Sequence, residues 1–146
     1  MAKLKYEKYI LTELQLPEDQ QKRAADYAKR GTRILWLEDF VIKGAPSVIC
    51  SWYTKATETP GTVAHTHDFD EVVGLLGSDP DNPKDLGGEV EFWIEDEKYM
   101  LTQSCLIFCP KGVKHCPLQV RKVTRPILFL AFSTTLNYSK ILDAQK

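Results

Sequence analysis

Histidine occurs three times in the 146 residues, and all three copies fall in two short pieces of chain. The first piece is Gly61-Thr62-Val63-Ala64-His65-Thr66-His67-Asp68-Phe69-Asp70-Glu71. The second sets His115 just after the turn Pro110-Lys111-Gly112-Val113-Lys114. On a strand, residues two apart share a face, so His65 and His67 can point into one interior. Glu71 lies a further even step along and can return to that interior. Three imidazoles and one carboxylate suit a single divalent transition metal such as iron, manganese, nickel, copper or zinc. The pattern therefore predicts His65, His67, Glu71 and His115 as metal ligands, and a fold that brings the two pieces together.

These pieces resemble the paired signature motifs of the cupin superfamily. Gly61 opens the first motif, His65, His67 and Glu71 occupy its ligand positions, and Gly77 closes it. The second motif runs from Ser104 through Pro110, Gly112 and His115 to Gln119. Ser104 stands where the family usually has glycine, and Gln119 where it usually has asparagine. Only Thr62, Val63 and Ala64 separate Gly61 from His65, fewer than the common spacing. No departure touches a ligand position. The resemblance covers residues 45–135 and implies an all-β, antiparallel jelly-roll barrel around one metal ion. It does not imply one reaction, because cupins host many functions on one scaffold.

The chain length fits one domain. We expect an N-terminal arm and helix over residues 1–32 and the barrel with a C-terminal tail over residues 33–146. Nineteen basic and 20 acidic residues nearly cancel, which gives no electrostatic reason to expect nucleic acid or an acidic membrane surface as partner. No apolar run approaches the roughly 20 residues of a membrane span. The charged start lacks a signal-peptide core of about 7–15 apolar residues, so a cytoplasmic protein is expected. Cys50, Cys105, Cys109 and Cys116 read as buried free thiols of a reduced compartment. Cys105 and Cys109 would lie about 13 Å apart on one strand, too far for a disulfide. No CxxC pair supports a zinc ribbon.

Along the chain, Tyr9, Ile10, Leu11 and Leu14 form an apolar arm. Pro17-Glu18-Asp19 opens a helix over residues 18–30, with Gly31 as its C-terminal cap. Strands are expected at Ile34–Leu37, Phe40–Ile42, Val48–Tyr53, Val72–Leu76, Gly88–Ile94, Tyr99–Leu101, Cys105–Cys109, His115–Val120 and Ile127–Phe132. The loop from Ser78 to Gly88 carries three aspartates but fails the calcium-loop pattern, since Lys84 stands where glycine is needed. Proline and glycine make it a rigid surface loop. The apolar arm, with little obvious core to bury it, and Ile34–Leu37 are candidates to pair with a second copy, giving a homodimer.

Around the ligands, Val63, Val73 and Leu75 share inward parity and are expected to wall an apolar pocket. Gln119, four beyond His115, shares its face and could hydrogen-bond near the metal; a polar residue at a strand end is the alternative. Cys116 has outward parity, and Asp68 and Asp70 are not assigned as bases. Arg121, Lys122 and Arg125 read as a solvated surface, although one arginine could clamp a carboxylate. Four ligands would close a tetrahedral zinc, whereas a six-coordinate ion keeps two open positions. The resemblance favours a metal-dependent enzyme acting on a small oxygenated organic molecule, with a dioxygenase preferred. An isomerase or decarboxylase and a non-catalytic ligand-binding module are the alternatives.

Overall fold

The computed structural model describes residues 4–142; the outermost residues of the expected arm and tail lie outside the described residues. In chain order the strands are β1 (Gly31–Leu37), β2 (Ser47–Tyr53), β3 (His65–Thr66), β4 (Glu71–Gly77) and β5 (Asp85–Ile94). There follow β6 (Glu97–Gln103), β7 (Cys105–Cys109), β8 (His115–Val123), β9 (Ile127–Ser133) and β10 (Ile141–Leu142). They form two five-stranded sheets, ordered β1-β2-β9-β4-β7 and β10-β3-β8-β5-β6. The pairings are antiparallel, and strands distant in sequence, such as β2 and β9, lie side by side. This is the expected jelly roll.

Period-two alternation explains which residues fill the space between the sheets. In β2, Ser47, Ile49, Ser51 and Tyr53 are buried, while Val48, Cys50 and Trp52 are partly exposed. Val73, Leu75, Val90, Phe92, Leu118 and Ile127 pack into the main cluster. Fully burying an aliphatic or aromatic side chain of this kind contributes about 1.5–3 kcal/mol. The far end of the sandwich is less tightly closed. Between the edge strands β6 and β7 lies an apolar cleft lined by Phe92, Tyr99, Leu101, Leu106, Ile107 and Phe108.

Several local expectations are corrected. The helix over residues 18–30 is two short pieces, α1 (Glu18–Lys22) and α2 (Ala24–Tyr27), parted at Arg23 (φ −99°, ψ 9°). The segment has no buried residue to hold one continuous helix on the barrel, and helices of this length are marginal without packing. Gly31 begins β1 rather than capping a helix. A Cβ there would overlap the Trp52 carbonyl oxygen, so close strand approach demands the glycine. Phe40–Ile42 is a turn, not a strand. The Val41 and Ile42 amides both donate to the Glu38 carbonyl, and Gly44 (φ 87°) donates to the Asp39 carboxylate. These local bonds displace a strand ladder.

The loop between β4 and β5 is tied down as expected of a rigid segment. Arg125 bridges Asp85 at 2.8 Å and Asp79 at 3.4 Å, so two of its acids are already paired. Ser104, in the place of the usual motif glycine, donates to the Pro83 carbonyl and accepts from the Gly77 amide. No helix among the described residues is long and apolar enough to cross a membrane.

A Cβ on Gly77 would overlap the Asp85 carbonyl oxygen. Gly77→Ala is therefore expected to lower stability by about 1–3 kcal/mol or more, read as an earlier urea midpoint. Gly44→Ala meets no neighbour, and its cost should come from the positive φ alone.

Candidate metal centre

Three strands deliver the four expected ligands to one point. His65 starts β3, Glu71 starts β4 and His115 starts β8; His67 lies just past β3. His65 and His115 face each other across the β3–β8 ladder. The four candidate ligand atoms lie within 4.8 Å of one another, and all four residues are buried. The His115 Nε2 is 3.1 Å and the His67 Nε2 3.6 Å from the same Glu71 oxygen, Oε1. The other oxygen, Oε2, accepts from the Ser133 hydroxyl at 3.1 Å.

The opposite nitrogen of each imidazole is held by backbone. His65 Nδ1 lies 2.6 Å from the Val63 carbonyl, His67 Nδ1 2.5 Å from that of Ser139, and His115 Nδ1 3.1 Å from that of Val113. A carbonyl can only accept, so each Nδ1 must carry the proton. Each neutral ring then turns a lone pair on Nε2 toward the centre, the arrangement that orients metal-binding histidines. The His65 Nε2 is buried and has no hydrogen-bond partner. The His115 and His67 lone pairs confront a carboxylate oxygen, acceptor against acceptor. A cation among them resolves both the orphan and the repulsion. The donor set therefore fits one divalent ion.

Charge states agree. Burial lowers the His65 pKa to about 4, keeping the ring neutral. A glutamate carboxyl is ordinarily ionised at neutral pH, and a cation at the cluster would keep Glu71 so against the burial that raises its pKa. Both groups are thus in their ligating form at neutral pH.

A cavity of about 90 Å³ opens onto this cluster, with His65, Glu71, Val73, Cys116, Tyr53 and Tyr138 in its wall. A single water needs about 10–15 Å³ on that measure, so a small molecule fits. Of the expected apolar wall only Val73 serves. Val63 is 58% exposed and contributes its carbonyl, while Leu75 is fully buried in the core. Gln119 is turned away from the centre. Leu118 and Val120 enter the core, leaving Gln119 on the other face, where its amide donates to the Thr57 carbonyl at 2.8 Å.

A bulge causes this. Phe92 pairs with Leu118 but Ile94 pairs with His115, so β8 carries an extra residue and parity slips after His115. The same slip, with Cys116 at φ 70°, buries Cys116 against the expected outward parity. Asp70 accepts from the Lys111 amide at 2.9 Å and so braces the second motif's turn. Arg121 pairs with Glu91 on the surface at 2.8 Å.

Two contributions were not foreseen. Tyr138 brings its hydroxyl to 3.4 Å from the His67 Nε2. Buried Glu38 accepts from the Tyr138 amide and the Ser47 hydroxyl, pinning that segment. Tyr138 lies beyond the last long strand, where no periodicity assigns a face. Arg30 and Lys140 reach the cavity mouth, the first from the loose end of α2.

Protein purified without added metal is expected to hold about one ion per chain, and His67→Ala to hold under about a tenth of that, by elemental analysis. Chelation should lower the melting temperature of the parent and leave that of His67→Ala unchanged. Cys116→Ser should retain the metal.

No family sequence model matches the chain, and no curated protein matches it by sequence. Solved structures do match. The DMSP lyase DddQ from Ruegeria pomeroyi DSS-3 aligns over 90% of this chain and 61% of its own, at 19% identity and a TM-score of 0.52. An oxalate oxidase aligns over 79% of this chain and 56% of its own, at 12% identity and the same TM-score, 0.52. A cupin-2 domain from Rhodospirillum rubrum aligns over 71% of this chain and 60% of its own, at 10% identity and a TM-score of 0.48. The chain thus spans about three fifths of the length of these proteins, and at such identities the likeness is one of fold. Both motifs meet at one point inside that fold, and the chain has the jelly-roll fold that their resemblance implied.

Proposed function

We propose that this chain is a cupin and a metal-dependent enzyme acting on a small oxygenated organic molecule, with dioxygen as co-substrate. The observation that carries the reading is the cavity that reaches the four-residue cluster through His65 and Glu71. A purely structural ion needs no such space. When bound, a six-coordinate ion would supply two open positions and Lewis-acid or one-electron chemistry. The chain's own residues do the rest. Tyr53, Val73 and Phe92 make an apolar wall that excludes bulk water and orients the substrate. Ser133 holds the carboxylate of Glu71 in place.

A second reading, proton delivery by a general acid in a lyase, isomerase or decarboxylase, is favoured by Tyr138. Its phenol stands at the cluster, and burial raises its pKa well above the ordinary value, so it is a protonated donor. The fold does not choose between these, since a lyase and an oxidase match it equally. The four cysteines, all free, support a reduced cytoplasmic setting.

Small hydroxy-, keto- and phenolic acids screened with iron, manganese, nickel or copper, in air and without oxygen, test the proposal. Turnover confined to air, with Tyr138→Phe retaining most of it, is the expected result. Equal turnover without oxygen, lost by about 10²–10⁴-fold in Tyr138→Phe, would replace it with proton-transfer chemistry. No turnover with any metal would leave a binding module.

A further inference from the structure

Four cations, Arg23, Arg30, Arg33 and Lys140, line the mouth of the metal-centre cavity. They are not equivalent. Arg33 is committed to Gln20, through Nη1 to its carbonyl and Nη2 to its side-chain oxygen. Arg30 stacks on the Tyr27 ring, 4.5 Å from its centroid, and its Nε is buried without a hydrogen-bond partner. Among the described residues no carboxylate forms an ion pair with Arg30 or Lys140. Lys140 lies within electrostatic reach of His65 at the cluster. A guanidinium and an ammonium, neither within ion-pair distance of a carboxylate, thus line the cavity that reaches the cluster, with Asp26 and Glu71 as its acids. A carboxylate satisfies both.

We propose that the substrate is a small organic acid whose carboxylate docks on Arg30 and Lys140 while its oxygenated end faces the four ligands. This rests on reading the cavity as a substrate site. It also gives Gly61 a role, because a Cβ there would overlap the Arg30 guanidinium. The glycine that opens the first motif keeps the clamp in position.

Calorimetric binding of malonate, with malonamide as its uncharged counterpart, tests the clamp on metal-loaded and metal-free protein. Arg30→Gln and Lys140→Gln are each expected to weaken malonate about tenfold, the cost of one charge-assisted contact, without changing metal content. Gly61→Val should weaken it similarly while leaving every charge in place. Malonamide should bind all forms alike and weakly. Malonate binding that ignores all three substitutions would overturn the clamp. A protein that holds no metal yet binds malonate through Arg30 would overturn the enzyme reading and leave the clamp standing.

Discussion

Three hydrogen bonds from imidazole Nδ1 to backbone carbonyls organise the centre of this protein. Each costs little in isolation, but together they decide the direction of three lone pairs. Two of the carbonyls, of Val63 and Val113, stand two residues before the histidines they hold. The strand that presents the ring also sets its tautomer. The third carbonyl, of Ser139, comes from the far end of the chain. Jelly-roll topology makes that possible, because β10 runs beside β3. The barrel is thus the device that lets a distant backbone oxygen fix a metal-facing nitrogen.

Burying four polar ligands has a cost that the fold must offset. Each would be a liability in a core without a partner. Ser133 and the backbone carbonyls satisfy the outer atoms, leaving only the inward ones unmet. The convergence of lone pairs at one point, with the His65 Nε2 left unpartnered among them, separates this cluster from ordinary core histidines. The neighbouring thiols Cys109 and Cys116 do not compete for the ion's place. Burial pushes their pKa values up and keeps them protonated, the form that does not ligate.

The ligands and the fold were legible in the sequence because both depend on period and spacing. His65, His67 and Glu71 keep strand parity, and the second motif's turn delivers His115 whatever happens beyond it. Parity failed where the backbone departs from a regular strand. The bulge in β8 turned Gln119 outward and Cys116 inward, and no composition rule locates a bulge. Tyr138, Lys140 and Glu38 escaped for another reason. They sit in turns and an irregular tail, where the face of a side chain is set by tertiary bonds.

The bond between His67 and Ser139 spans 72 residues. During synthesis at about 5–20 residues per second, roughly 4–14 s separate the two. For the first part of that interval, until His115 is added, His65, His67 and Glu71 lack their fourth ligand, and through all of it His67 lacks the carbonyl that fixes its tautomer. A nascent chain in this state has an incomplete coordination set. Only the finished barrel closes the coordination set. Metal selection is thereby deferred to the folded protein, where geometry can discriminate among ions that a flexible peptide would rank by affinity alone.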